Sequence, residues 1–225
     1  MPTPYYEHAG ITIYLGDCRE VLPTVTADVL ITDPPYGISY SSGYSGDVWA
    51  GGVYGDAADG SIAGDADTSL RDAVLKLWGD RPALVFGSLR APLPGKWRQC
   101  LVWDKGDASG MGDLCIPWKP NWEPIFVLGN WNGKGRSSGV LRSNNISRVC
   151  MGRCHPHMKP VALLEMLIAK CCGVVIDPFM GSGTTLRAAK NLGRRAIGIE
   201  IEENYCEIAA KRLSQEVLFP AEITS

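Results

Sequence analysis

One alternation dominates this chain: short apolar runs of strand type keep giving way to stretches with helical spacing. Val174-Val175-Ile176 is a buried-strand run, Asp177 to Gly183 a Gly-rich turn, and Thr184 to Leu192 a helix closed by Gly193. Ala196 to Ile201 is a further strand carrying the acid Glu200 near its end, and Glu203 to Val217 has amphipathic helical spacing. The same reading gives strands at Ile11–Leu15, Ala27–Thr32, Ala83–Phe86, Gln99–Trp103 and Pro124–Leu128. Helices are expected at Ser69–Trp78, with Thr68 as cap, and at Val161–Lys170, with Pro160 in the first turn and Gly173 after its end. Strands alternating with helices predict an α/β, doubly wound, mostly parallel sheet.

A chain of 225 residues, 45% hydrophobic and 20% charged, suits a single domain, 1–225, with a real core. Its most apolar stretch, Val161 to Ile176, is interrupted by Glu165 and Lys170, so no membrane association is expected. No basic residue precedes Arg19, which argues against a signal or transit peptide. The eight irregularly spaced cysteines read as free thiols in a reducing compartment. Cys150, Cys154, His155 and His157 form the one cluster with a zinc-like look, but no second paired-cysteine knuckle supports it, and no metal is expected.

The formal net charge of −2 hides an asymmetry. Residues 1–70 hold ten acids and one base, Arg19. Between Glu123 and Glu165 there is no acid, whereas Lys134, Arg136, Arg142, Arg148, Arg153 and Lys159 all fall there. Such a window is either a polyanion contact or a solvated face whose acids lie elsewhere in space. If all six bases met phosphates, nucleic-acid affinity would fall with a log–log salt slope of about −5. Residues 37–67 form a long segment with eight glycines and no Lys or Arg, either a mobile functional loop or an acidic disordered one.

Strand, Gly-rich turn, helix, strand and acid are laid out as in a nucleoside-binding α/β half. Gly181 and Gly183 let a ligand approach the backbone, and Glu200 stands where an acid can accept from ribose hydroxyls. Leu186 occupies the place of a third fingerprint glycine, which argues against a nicotinamide oxidoreductase and for a nucleoside with a small zwitterionic tail. Asp33-Pro34-Pro35-Tyr36, directly after a strand, is the more specific word. Its bland reading is a stiff turn. Its chemical reading uses all four residues: Asp33 and the Pro34 carbonyl accept from one exocyclic amine, the prolines hold them rigid, and Tyr36 offers a ring for a base to stack on.

With these words the chain resembles the amino-directed DNA methyltransferases in the permuted order of their beta group. Gly16-Asp17, Asp33-Pro34-Pro35-Tyr36-Gly37, His155 to Pro160, Asp177 to Thr185 and Gly198-Ile199-Glu200 carry the likeness, which is strong over 11–37 and 155–213 and vague over 80–130. The resemblance implies a Rossmann-like, S-adenosyl-L-methionine-dependent methyltransferase fold, circularly permuted, with strand 11–15 beside strand 196–201. It implies cofactor contacts from Asp17, Asp33, His155, Lys159, Asp177, Phe179, Gly181, Ser182, Gly183, Thr184 and Glu200. Asp33, Pro34, Pro35 and Tyr36 would be catalytic, on a base flipped out of double-stranded DNA. Lys134, Arg136, Arg142, Arg148 and Arg153 would meet the DNA, within a short target-recognition segment at 104–154. Asp before Pro-Pro-Tyr leans towards adenine N6, with cytosine N4 or adenine in RNA as alternatives. The resemblance further suggests restriction-modification, pairing as a homodimer, and a cytoplasmic bacterial or phage-encoded protein.

Overall fold

The computed structural model describes residues 2–37, 66–92, 94–106, 114–132, 136–143 and 158–215. Its strands are β1 (Tyr6–His8), β2 (Ile11–Leu15), β3 (Val29–Thr32), β4 (Ala83–Phe86), β5 (Trp97–Asp104), β6 (Trp122–Leu128), β7 (Val140–Arg142), β8 (Val175–Asp177) and β9 (Ala196–Glu200). Its helices are α1 (Cys18–Val21), α2 (Ser69–Trp78), α3 (Val161–Ile168), α4 (Thr184–Asn191) and α5 (Glu203–Ser214). The strands form one sheet in the order β1-β2-β9-β8-β3-β4-β6-β5-β7. The central five, β2-β9-β8-β3-β4, are mutually parallel, while β6 runs against both β4 and β5.

Every residue of β3, β4 and β8 is buried, which is why these strands read as unbroken apolar runs. Alternate side chains serve two different cores. Val29, Ile31, Leu84 and Phe86 face the side covered by α3, α4 and α5. Leu30, Ala83, Val85 and Ile176 face the side covered by α1 and α2. The sheet is thus covered by helices on both faces, the doubly wound arrangement. Strand β2 lies parallel to β9 from Ile11↔Ala196 to Leu15↔Glu200, so the permuted order closes the sheet as expected.

Local details depart from the sequence reading in several places. Thr68 makes no capping bond; Asp67 Oδ1 accepts from Ser69 N at 2.8 Å instead, and Thr68 donates to Asp72 at 3.0 Å. A carboxylate is the stronger acceptor at the positive end of a helix. Pro160 is the N-cap of α3 rather than a residue of its first turn, and α3 ends at Ile168. Strands β1 and β7 were not expected; each has three residues and half-exposed or exposed side chains, so neither has an apolar pattern to read.

Among the described residues no helix is long and apolar enough to cross a membrane. The cluster of Cys150, Cys154, His155 and His157, most of the 37–67 segment, and Lys134, Arg148 and Arg153 lie outside the described residues.

Candidate active site

The chain switches direction between β8 and β3. From β8 it crosses through α4 to β9 on one side; from β3 it crosses through α2 to β4 on the other. Loops leaving two adjacent parallel strands in opposite directions open a crevice at the carboxyl ends of those strands. The loop after β3 begins with Asp33, and the loop after β8 runs from Pro178 to Gly183.

Asp177 and Thr32 join the two loops. Thr32 Oγ1 donates to Asp177 Oδ1 at 2.7 Å, Thr185 Oγ1 donates to Oδ2 at 2.6 Å, and Phe179 N donates to Oδ1 at 3.1 Å. The carboxyl is fully buried, and burial pushes it up to about 6, with the three donors pulling the other way. Its side chain shapes the turn from within, so it would act on a ligand through the loop it holds. Glu200 closes the same turn from β9. Its Oε2 accepts from Gly181 N at 2.9 Å and its Oε1 from Ile201 N and Glu202 N. Burial raises the Glu200 carboxyl, against the lowering by those amides.

Gly181 has φ +49 and open space where a Cβ would stand. Gly183 has φ +77 for a different reason: a Cβ there would come within 2.9 Å of Ala209 in α5. Gly183 therefore serves the packing of α4 on α5 and leaves the exposed face of the turn to Gly181. Thr184, at the start of α4, is buried and accepts from Arg212 at 3.1 Å. Phe179 and Ser182 are half-buried. Asp17 caps α1 one strand further along, beside Gly16, whose N–H bonds Glu200 O. Arg19 grips the Asp17 carboxylate through its backbone N–H and its guanidinium and holds it below the usual range.

The corner after β3 is an ion cluster. Tyr36 donates its hydroxyl to Asp33 Oδ1 at 2.6 Å. Lys159 donates to Asp33 Oδ2 at 2.5 Å, and its ammonium lies 5.1 Å from the Phe86 ring centre. Lys159 was expected among the cofactor residues; the structure seats it on the prolyl corner. Behind it stands Glu123 of β6, 3.4 Å away through Oε2, with Lys105 at 2.5 Å from Oε1. Burial disfavours the Lys159 charge, but Asp33, Tyr36 and Glu123 outweigh it and hold the ammonium well above the lysine range. Burial likewise opposes ionisation of Glu123, and the two lysines overcome it. The Tyr36 phenol is pushed well above its ordinary value, by burial first and then by Asp33.

Glu123, Lys105, Thr32 and Thr185 were missed in the sequence. The only trace was that Glu123 is the last acid before the acid-free window. Of the bases expected on DNA, Arg136 and Arg142 are described and exposed, and Arg142 pairs with Asp104 at 2.9 Å. Between β5 and β6, on the edge that bears the crevice, Leu114 and Trp118 are each 79% exposed and Ile116 is 52% exposed.

A family model described as DNA methylase, for the N6 and N4 enzymes, matches residues 47–211. The chain belongs to this DNA methylase family. Enzymes of the family use S-adenosylmethionine. The family match starts downstream of Asp33-Pro34-Pro35-Tyr36. The type II methyltransferase M.ScaI of Streptomyces caespitosus is 42% identical over 89 residues, 38% of this chain and 28% of that protein. The curated relatives are aligned over only about a quarter of their own length. PvuII DNA methyltransferase, a cytosine-N4-specific enzyme, superposes with TM-score 0.68 at 16% identity, over 97% of this chain and 92% of that one. The M1.HpyAVI–SAM complex gives 0.60 at 21%, over 91% and 100%. These likenesses establish the Rossmann-like methyltransferase fold for the chain.

Proposed function

We propose that this chain is an S-adenosylmethionine-dependent DNA methyltransferase acting on an exocyclic amine, adenine N6, of a base flipped from the duplex. The observation that carries this reading is the Thr32–Asp177 bond, which ties the catalytic word and the Gly-rich turn together at one crevice. Residues on both walls suit the two ligands.

The turn fits a nucleoside with an amino-acid tail. Open space at Gly181 admits a ligand against the backbone, and the first-turn amides of α4 suit a carboxylate. Phe179, Gly181, Ser182, Gly183 and Thr184 would hold the methionine end, Glu200 the ribose and Asp17 the adenine. When bound, the cofactor would supply an electrophilic methyl on a sulfonium, with the C–S pair left on sulfur and the extra proton of the methylated nitrogen lost to solvent.

The chain's own part is positioning and charge. An aromatic amine is a poor nucleophile because its lone pair is delocalised into the ring. Asp33 and the Pro34 carbonyl accept its two N–H bonds, favour a pyramidal nitrogen and aim the lone pair. The buried Pro34 and half-buried Pro35 stiffen that corner, and Asp33 balances the positive charge that develops on nitrogen. Tyr36 is anchored through its hydroxyl, which fixes its ring for stacking. Residues 37–67 would cover the flipped base. The exposed Leu114, Ile116 and Trp118, with the basic window, would meet the duplex as part of a recognition segment at 104–154.

Tritium transfer from labelled cofactor to unmethylated duplex DNA tests the reading. Asp33→Ala should lower transfer at least 100-fold while cofactor affinity changes by no more than about threefold, because only an interaction made to the reacting amine is lost. Equal incorporation by the two proteins removes the role of Asp33. Sequencing host DNA after expression would show N6-methyladenine at one site; N4-methylcytosine instead would overturn the choice of base.

A further inference from the structure

Four charges of alternating sign stand in line at the catalytic corner: Lys105, Glu123, Lys159 and Asp33. They come from four different places, the end of β5, β6, the entry to α3 and the end of β3. Three of the contacts are close, at 2.5 Å for Lys105–Glu123, 2.5 Å for Lys159–Asp33 and 2.6 Å for Tyr36–Asp33. The fourth is not. Glu123 Oε2 is buried and accepts no hydrogen bond among the described residues, although the Lys159 ammonium lies 3.4 Å away. A buried carboxylate oxygen without a donor is unfavourable, and buried acceptors are normally satisfied.

We propose that Glu123 Oε2 is a second seat for the Lys159 ammonium, which leaves Asp33 for Glu123 when the target amine binds. This rests on the methyltransferase reading above. In this structure Lys159 pairs with Asp33. An incoming amine needs the same carboxylate oxygens, and the charge it develops is repelled by an ammonium in contact with Asp33. Lys159 Nζ needs about 0.6 Å to reach hydrogen-bond distance from Oε2, and it must also swing clear of Asp33 Oδ2, because that shift alone would leave the two no more than about 3.1 Å apart. Asp33 is then released to the amine, and each cation keeps one carboxylate. Glu123 is on this account a positioning residue, acting on the reaction only through Lys159. The groups facing the ammonium are Asp33 and Tyr36 after β3, Phe86 at the end of β4 and Glu123 on β6, with Lys105 behind Glu123.

Glu123→Gln is the test. Its carbonyl can still accept from Lys105, which turns the amide NH₂ towards Lys159 and removes the second seat. The expected result is a single-turnover methyl-transfer rate at least tenfold below wild type at pH 7.5. Dissociation constants for cofactor and duplex DNA should stay within threefold. Glu123→Asp, which keeps the charge but sets it back by one methylene, should lose less, and it carries the test if the Gln variant does not fold. An active wild type with a Glu123→Gln variant of equal rate, or with Glu123→Asp losing as much as Glu123→Gln, overturns the second seat alone. A wild type that methylates no DNA overturns the reading beneath it and this inference together.

Discussion

Asp177 shows how a conspicuous sequence word can serve the fold rather than the ligand. Its carboxylate is spent on Thr32, Thr185 and Phe179, and nothing in the sequence distinguishes an acid that faces a ligand from one that faces its own turn. Burial raises it from the ordinary 3.8 to about 6, so the folded protein binds this proton more tightly than the unfolded chain does. Its contribution to stability therefore falls as pH rises from about 4 to about 6 and is level above that. Asp177→Asn should abolish this one-proton segment, which melting temperatures measured across pH 4–7 would reveal. An unchanged slope would mean that Asp177 is ionised throughout. Asp33, by contrast, was legible as a candidate site acid because two prolines and a tyrosine accompany it. Its partner Lys159 is 126 positions further on, Glu123 reaches the corner only through Lys159, and only the folded chain brings them together.

At the scale of elements, the strands buried on both faces were the easiest to read. Ala83–Phe86 was found to the residue, because a wholly buried strand has no polar position to blur it. The unexpected β7 pairs with β5 from Val102↔Val140 to Asp104↔Arg142, and its exposed valine and arginine follow no period. The packing of the Gly-rich unit was legible only in outline. Gly198 in β9 was part of a recognised word, but its reason lies across the layer. A Cβ there would press into Met180 and stand 2.8 Å from Leu186 Cδ2, so the strand–helix contact depends on its absence. Gly198→Ala should cost about 1–3 kcal/mol of stability by overpacking. Urea unfolding would show it as a lower midpoint with an unchanged m-value. A midpoint equal to wild type would show that α4 can retreat at no cost.

At the scale of the molecule, the charge asymmetry acquires a direction. Lys159, one of six bases in the acid-free window, is buried in the corner and is removed from the phosphate-binding set. Arg142 must exchange Asp104 for a phosphate if it is to contribute. Five remaining contacts predict a log–log salt slope of about −4.5 for duplex binding. A titration between 50 and 300 mM salt would measure it, and a slope close to zero would move the DNA surface elsewhere. The doubly wound architecture and the permuted strand order were available from the sequence, since both follow from where apolar runs and turns occur along the chain. How the corner's charges cancel was not, because it depends on an antiparallel strand that carries a single acid.

Gly37 and Asp67 bring their backbones together. A Cβ on Gly37, at φ +69, would lie 2.5 Å from the Asp67 carbonyl carbon. The chain thus leaves the prolyl corner and returns to it through one narrow neck, like a purse drawn shut. Whatever is sewn between the strings can be lengthened at little expense to the framework, since doubling a loop costs only about 0.6 kcal/mol of closure entropy. Replacing 38–66 by a short Gly–Ser bridge should keep the melting temperature within a few degrees while cutting methyl transfer. A large drop in melting temperature would mean that the contents of the purse also hold the framework up.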